Sequence, residues 1–113
     1  MPMTEDMKWS KTEKAVARRA FNAAYQRECA AILAKLKEMA AAARGPGDIW
    51  RLHDLLSKRR RDIERRYDYR YSVLIEVFGE MLAEGWIEAS DLAGLSKDKI
   101  EAINRTADSW ASI

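Results

Sequence analysis

The feature that most constrains this chain is a helical pattern that runs without a proline from residue 48 to residue 84. Apolar and aromatic residues recur in it at alternating spacings of three and four, which places them on one stripe of a helix: Ile49, Leu52, Leu56, Ile63, Tyr67, Tyr71, Leu74, Phe78 and Met81. We predict one long helix, capped by Asp48 and ended by Gly85, with a bend or short break allowed near Ser72. Such a helix would span roughly 55 Å, so a partner helix is needed along its length.

Residues 9–43 form the predicted first helix. Ser10-Lys11-Thr12-Glu13 has the form of a capping box, in which the serine and glutamate side chains accept hydrogen bonds from each other's backbone amides. The helical spacing continues through Val16, Phe21, Tyr25, Cys29, Ile32, Leu36 and Met39. Gly45-Pro46-Gly47 then interrupts the helix, and so short a connection favours two antiparallel neighbours, an αα-hairpin.

Residues 86–110 form a predicted C-terminal helical head. Ser90 is the expected N-cap of a short turn, and Ser96 is the expected N-cap of a final helix that ends near Ser109. The prediction is therefore an all-α single domain over residues 1–113, a long antiparallel helical hairpin with a small head. A monomer would leave the long stripe in water, so we expect an elongated homodimer.

Composition excludes several classes of function. The net charge of +2 is too small to indicate binding to nucleic acid or to an acidic membrane by itself. Cys29 is the only cysteine and His53 the only histidine, so neither a disulfide nor a metal site is expected, and no cofactor is implied. The first ten residues do not resemble a secretory signal, and no apolar run reaches the length of a membrane span. We expect a soluble cytoplasmic protein.

Trp50, His53 and Asp54 are three and four residues apart, so one face of the second helix presents an indole, an imidazole and a carboxylate together. A catalytic interpretation would make His53 a base oriented by Asp54. The sequence offers no glycine-rich nucleophile turn beside them, so contact with another molecule is favoured over catalysis. We predict no enzymatic activity.

Residues 58–70 carry seven basic side chains (Lys58, Arg59, Arg60, Arg61, Arg65, Arg66 and Arg70) and three acidic ones (Asp62, Glu64 and Asp68). A helix of this charge suggests phosphate contacts, which keeps a helical dimer that binds nucleic acid as an alternative. The acidic residues lie at spacings that allow pairs within the helix, and a solvated, partly paired face is the favoured interpretation. Arg60 falls near the stripe, and Asp54 of a second copy is its hypothetical partner.

Two segments of the chain together carry a recognisable sequence pattern. The second helix contributes Trp50-Arg51-Leu52-His53-Asp54-Leu55-Leu56-Ser57, Arg60, Ile63, Tyr67-Asp68, Arg70, Ser72-Val73, Ile75, Val77-Phe78 and Glu84-Gly85. The first helix contributes Trp9-Ser10, Phe21, Ala24-Tyr25-Gln26-Arg27-Glu28 and Leu33. These residues resemble the fluorescence recovery protein family of cyanobacteria, and the resemblance covers most of residues 9–100 without an obvious gap. A cyanobacterial host would imply a location peripheral to photosynthetic membranes.

The resemblance implies a small helical dimer that binds the light-activated orange carotenoid protein, chiefly on its C-terminal domain. Such proteins accelerate the return of that partner to its resting form and so help to detach it from the phycobilisome. Carried over by position, the functional patch is Trp50, His53, Asp54 and Arg60. The dimer seam is Leu33 with the stripe residues Leu52, Leu56, Ile63 and Tyr67.

The chain departs from the family pattern at Leu55, Tyr69, Tyr71 and Glu76. Tyr71 and Glu76 lie towards the head and are candidates for contact with the partner protein. Relatives also occur in bacteria without a phycobilisome. A second possibility is therefore the same scaffold serving a different protein partner.

Overall fold

The computed structural model describes residues 8–112, and its regular elements are all helical. The helices are α1 (Lys11–Ala42), α2 (Pro46–Arg66), α3 (Leu74–Glu84) and α4 (Lys97–Ala111), with a short 3-10 helix (Ala89–Leu92) between α3 and α4. The molecule measures 55 × 25 × 21 Å and has a radius of gyration of 16.8 Å. A compact chain of this length would have a radius of gyration of about 13 Å, so the protomer is elongated. The predicted all-α class is confirmed.

The start of α1 follows the predicted capping box. The Glu13 amide donates to Ser10 Oγ at 3.1 Å, and the Ser10 amide donates to Glu13 Oε1 at 3.0 Å. The same carboxylate accepts from the Ser96 amide at 2.8 Å and from Lys99 Nζ at 3.2 Å, which ties α1 to the start of α4. Burial opposes ionisation of Glu13, but these hydrogen bonds outweigh it and lower its pKa from 4.5 to about 2.

The helix predicted over residues 48–84 is two helices, so that prediction was wrong. The α2 helix ends at Arg66, and residues 67–73 form an irregular segment that includes the expected weak point at Ser72. Tyr67 leaves the helical conformation with ψ of 73°, and the Asp68 amide turns back to the Arg66 carbonyl at 2.8 Å. At this break the Arg66 and Tyr67 side chains contact Glu28 on α1.

Two predicted N-caps also differ from the observed ones. Gly45 caps α2, with Pro46 as its first residue, and Asp48 is the third residue, within the first turn. From there the Asp48 carboxylate accepts from the Arg44 amide at 2.9 Å, so it still satisfies a backbone donor near the helix start. Ser90 lies within the 3-10 helix, whose N-cap is Glu88. Ser96 caps α4 as predicted.

The hydrophobic core lies at one end of the molecule. It is formed by Trp9, the first half of α1, α3, the 3-10 helix and α4, and its fully buried members include Phe78, Leu74, Ile75, Met81 and Ile103. The α3 and α4 helices approach closely at Gly79, where a Cβ atom would overlap the side chain of Thr106. The head therefore contains α3 and half of α1 in addition to the predicted residues 86–110.

The other end is a hairpin formed by the second half of α1 and nearly all of α2. Glu28 is buried and so is Arg66, but no residue between them is. We call residues 29–65 the arm and the remaining described residues the head. Large apolar side chains on the arm are exposed, among them Leu33 (53%), Ile49 (56%), Trp50 (63%) and Leu56 (48%). The arm thus lacks a core of its own.

Candidate functional site

The first turns of α2 bring Trp50, His53 and Asp54 together on the outside of the arm. The indole and imidazole rings meet edge to face, with centroids 6.2 Å apart and planes at 79°. His53 Nδ1 lies 3.4 Å from Asp54 Oδ1. Helical spacing alone accounts for the grouping, because residues three and four apart are neighbours on a helix surface. The patch offers an apolar ring, a polar ring and a negative charge within one turn.

These groups lie on the convex, solvent-facing surface of one helix. The His53 and Asp54 side chains are both largely exposed, so their pair gains little from a dry environment. Across residues 8–112, no three histidine, cysteine or acidic side chains come together as metal ligands. General base catalysis also needs an enclosed place for a reacting group, and the convex surface of one helix does not provide it.

Arg60 lies farther along α2, and its Nε donates to Glu64 Oε2 at 3.2 Å. Both side chains are exposed. Within one protomer Arg60 therefore pairs with Glu64, whereas its pairing with Asp54 of a second copy stays a prediction. At about 100° per residue, Arg60 and His53 lie roughly 20–40° from Ile49 around the helix, so both flank the apolar stripe.

The predicted seam residues fall into two groups. Leu33 and Leu56 are exposed, and Leu52 and Ile63 are half-buried, as expected for an arm that lacks a cover. Tyr67 belongs instead to the head, where its hydroxyl donates to Glu28 Oε1 at 2.9 Å. Its ring meets Phe21 and Tyr25 edge to face, each at 5.3 Å between centroids. Burial and the bond to Glu28 raise the pKa of Tyr67.

A buried ion cluster at the junction of arm and head was not predicted. Arg66 Nη1 donates to both oxygens of Glu28 at 2.6 and 2.7 Å, and its Nε donates to Glu80 Oε2 at 2.9 Å. Arg66 also pairs with Glu84, and Arg65 with Glu80 at 2.8 Å from the more exposed side. Burial opposes ionisation of Glu80, but its bonds to the two arginines outweigh that effect and lower its pKa. The sequence offers one signal for this cluster: Glu28 is an acidic residue seven positions after Phe21, so it lies on the inner, apolar face of α1.

The two head candidates occupy different surroundings. Tyr71 packs against Trp9 and Tyr69, with ring centroids 5.6 and 5.5 Å away. Glu76 lines an open groove of about 690 Å³ between the end of α2, α3 and α4, together with Arg105 and Trp110. Tyr71 is not part of that groove, so the structure does not join the two candidates into one site.

No helix within residues 8–112 combines the length and the apolar character that crossing a membrane requires. A family described as "Photoprotection regulator fluorescence recovery protein" matches residues 9–107. The fluorescence recovery protein of Synechocystis sp. PCC 6803 is 39% identical over 107 residues, which cover 95% of this chain and 98% of that protein.

Solved structures agree with the sequence match. The fluorescence recovery proteins of Fremyella diplosiphon and of Synechocystis sp. PCC 6803 each superpose with a TM-score of 0.85 at 40% identity, covering 89% of this chain and 99% of theirs. An arginine-to-lysine mutant of the Synechocystis protein superposes with a TM-score of 0.86 at 39% identity and the same coverage. The chain therefore belongs to the fluorescence recovery protein family, a family of photoprotection regulators.

Proposed function

We propose that this chain is a non-enzymatic binding protein that accelerates the return of the light-activated orange carotenoid protein to its resting form. Faster return would help to detach that protein from the phycobilisome. The observation that carries the proposal is the exposed Trp50, His53 and Asp54 patch on a protein of this family. A largely exposed indole beside an imidazole and a carboxylate fits a contact that is completed by a second protein, because such aromatic residues anchor protein interfaces.

The arm is the proposed surface of a homodimer. Its 37 residues include none that is buried, and its exposed leucine and isoleucine side chains would otherwise remain in water. A two-fold pairing would let the same surface of each copy cover the other. The seam then comprises Leu33, Leu52, Leu56 and Ile63, and Tyr67 supports it from the head. Arg60 of one copy is the proposed partner of Asp54 of the other.

Acceleration requires differential binding. A partner bound equally well in its activated and resting forms would not change its population, however tight the complex. The protein must bind the resting arrangement, or the path that leads to it, more tightly than the activated arrangement. Such differential binding requires no covalent change in the partner.

Pairing among the cations of residues 58–70 supports a protein partner over nucleic acid. Lys58 lies 3.4 Å from Asp62, Arg60 3.2 Å from Glu64, and Arg70 2.5 Å from Asp68. Arg65 and Arg66 are also engaged by carboxylates. Few of these charges remain available for phosphates, so we expect no nucleic-acid binding at physiological salt.

The test is the dark recovery rate of a photoactivated orange carotenoid protein, with and without this protein. We expect acceleration by the wild type and its loss in Trp50→Ala. Arg51→Ala is the matched control, because it removes a large exposed side chain from the same helix, about 100° around the helix from Trp50 and outside the patch. If a folded wild-type protein gave no acceleration, the proposed partner would be wrong, and we would infer that the chain regulates a different protein. Equal loss in both variants would contradict the assignment of the patch.

A further inference from the structure

Three cations form a row on the part of α1 that belongs to the head. Lys11, Lys14 and Arg18 are three and four residues apart, so they share one side of the helix over about 10 Å. All three are exposed. Within residues 8–112 no carboxylate lies at ion-pair distance from any of them, whereas five of the seven cations in residues 58–70 are paired. Among the described residues this row therefore presents uncompensated positive charge.

Aromatic rings from the segment between α2 and α3 hold two of these cations in place. The Arg18 guanidinium carbon lies 3.6 Å from the centre of the Tyr69 ring, and Lys14 Nζ lies 5.2 Å from the centre of the Tyr71 ring. The Tyr69 hydroxyl donates to the Lys14 carbonyl at 3.4 Å, which lays its ring across one turn of α1. Phe21 supports that ring from below at 4.9 Å between centroids. The cations are thus positioned by the rings while their charges stay unpaired.

We propose that Lys11, Lys14 and Arg18, with Tyr69 and Tyr71 beneath them, form a docking face for an acidic segment of a protein partner. A span of about 10 Å matches about four residues of an extended chain, so two or three neighbouring carboxylates could each meet one cation. Single-stranded nucleic acid is disfavoured because its binding relies on free aromatic faces for base stacking. Here the guanidinium of Arg18 already covers Tyr69, and Tyr71 lies against Lys14, Trp9 and Tyr69. This face is separate from the patch on the arm.

The test is the binding of a fluorescently labelled hexaglutamate peptide, followed by fluorescence anisotropy at low salt. The double variant Lys14→Gln with Arg18→Gln should bind about tenfold more weakly than the wild type, because two charged contacts are lost. The matched control is Arg19→Gln with Arg105→Gln, which removes two exposed cations from other surfaces and leaves the row intact. It should change the affinity less than twofold. An equal loss of affinity in both double variants would mean that binding depends only on net charge, and it would overturn the proposal.

Two further measurements address the role of the rings and the identity of the occupant. Tyr69→Leu keeps every charge but removes the ring beneath Arg18, so we expect about threefold weaker binding of hexaglutamate. Unchanged binding would overturn the positioning role. Light scattering should find the same oligomeric state for the Lys14 and Arg18 double variant as for the wild type. Dissociation of the variant would mean that this face contacts a second copy of the chain, and it would overturn the proposal. Tighter binding of a twelve-residue oligothymidylate than of hexaglutamate would assign it to nucleic acid. The outcome is independent of the proposed orange carotenoid partner, which the dark recovery assay tests.

Discussion

Replacement of Arg66 by methionine should be among the most damaging single changes in the head. Arg66 is 6% exposed, and its guanidinium pairs with the carboxylates of Glu28 and Glu80, which are themselves buried. Removal of one partner from a buried ion pair typically costs about 3–5 kcal/mol, because the remaining charges lose their compensation. Methionine fills much of the same volume, so lost packing should add little.

The assay is urea unfolding at a fixed protomer concentration, followed by circular dichroism. With a slope of about 1.5 kcal/mol per molar urea, the expected loss lowers the midpoint by about 2–3 M. Arg65→Met is the matched control, since Arg65 pairs with the same Glu80 but its side chain is 56% exposed. That pair should contribute no more than about 1 kcal/mol.

A triple apolar variant separates the charge effect from general disruption. Arg66→Met combined with Glu28→Leu and Glu80→Leu removes all three buried charges and should recover most of the lost stability, because buried ion clusters are often no better than apolar packing.

The stability of Arg66→Met should also approach that of the wild type as the pH falls. In the wild type the bonds from Arg65 and Arg66 outweigh burial and lower the pKa of Glu80, so its stabilisation is present at neutral pH and lost on acidification. In the variant only Arg65 still opposes the effect of burial, so less stabilisation is there to be lost. Equal effects of Arg65→Met and Arg66→Met at pH 7 would refute the reasoning.

Three other outcomes are expected from the packing, the pKa values and the arm. Gly79→Ala should destabilise the head by about 1–3 kcal/mol in the same urea assay despite its better helix propensity, whereas Gly47→Ala, which meets open space, should not destabilise it. Because the folded pKa of Glu13 is lowered to about 2, its stabilisation of about 1–2 kcal/mol is complete above pH 4.5 and lost towards pH 2, and Glu13→Gln should flatten that part of a stability–pH profile. Leu33→Glu should dissociate the proposed dimer in light scattering, and Ala31→Glu, which adds the same charge on the opposite side of α1, should not; persistence of the dimer in both would contradict the proposed seam.

Features that depend on neighbours in sequence could be predicted, and those that depend on distant contacts could not. The capping box at Ser10 and the grouping of Trp50, His53 and Asp54 follow from helical spacing, and the structure places both as expected. The break after Arg66 depends on Glu28, which is 38 residues away, and no local pattern identifies that pairing. The continuous apolar stripe favoured an unbroken helix, but tertiary contacts overrode it. The low helix propensity of the tyrosine-rich segment was the only local warning.

The cations illustrate the same distinction. Pairs such as Arg60 with Glu64 lie four residues apart and could be expected from spacing alone. The contact of Arg18 with Tyr69 required α1 and the irregular segment to meet in space. The densest group of cations in the sequence is at residues 58–70, near the end of α2, but most of these cations are paired with carboxylates. The row without carboxylate partners among the described residues lies on α1. Counting charges therefore could not indicate which of them remain available.

The absence of buried residues between Glu28 and Arg66 has a consequence for amide exchange. In an isolated protomer, the amides of the arm would be protected only by helical hydrogen bonds that open locally, whereas the central amides of the head would require unfolding of its core. If a second copy covers the arm, deuterium uptake there should rise on dilution while uptake in the head stays constant. The surface that carries Trp50 would then be ordered by assembly, so the protomer concentration would set how much recognition-competent protein is present.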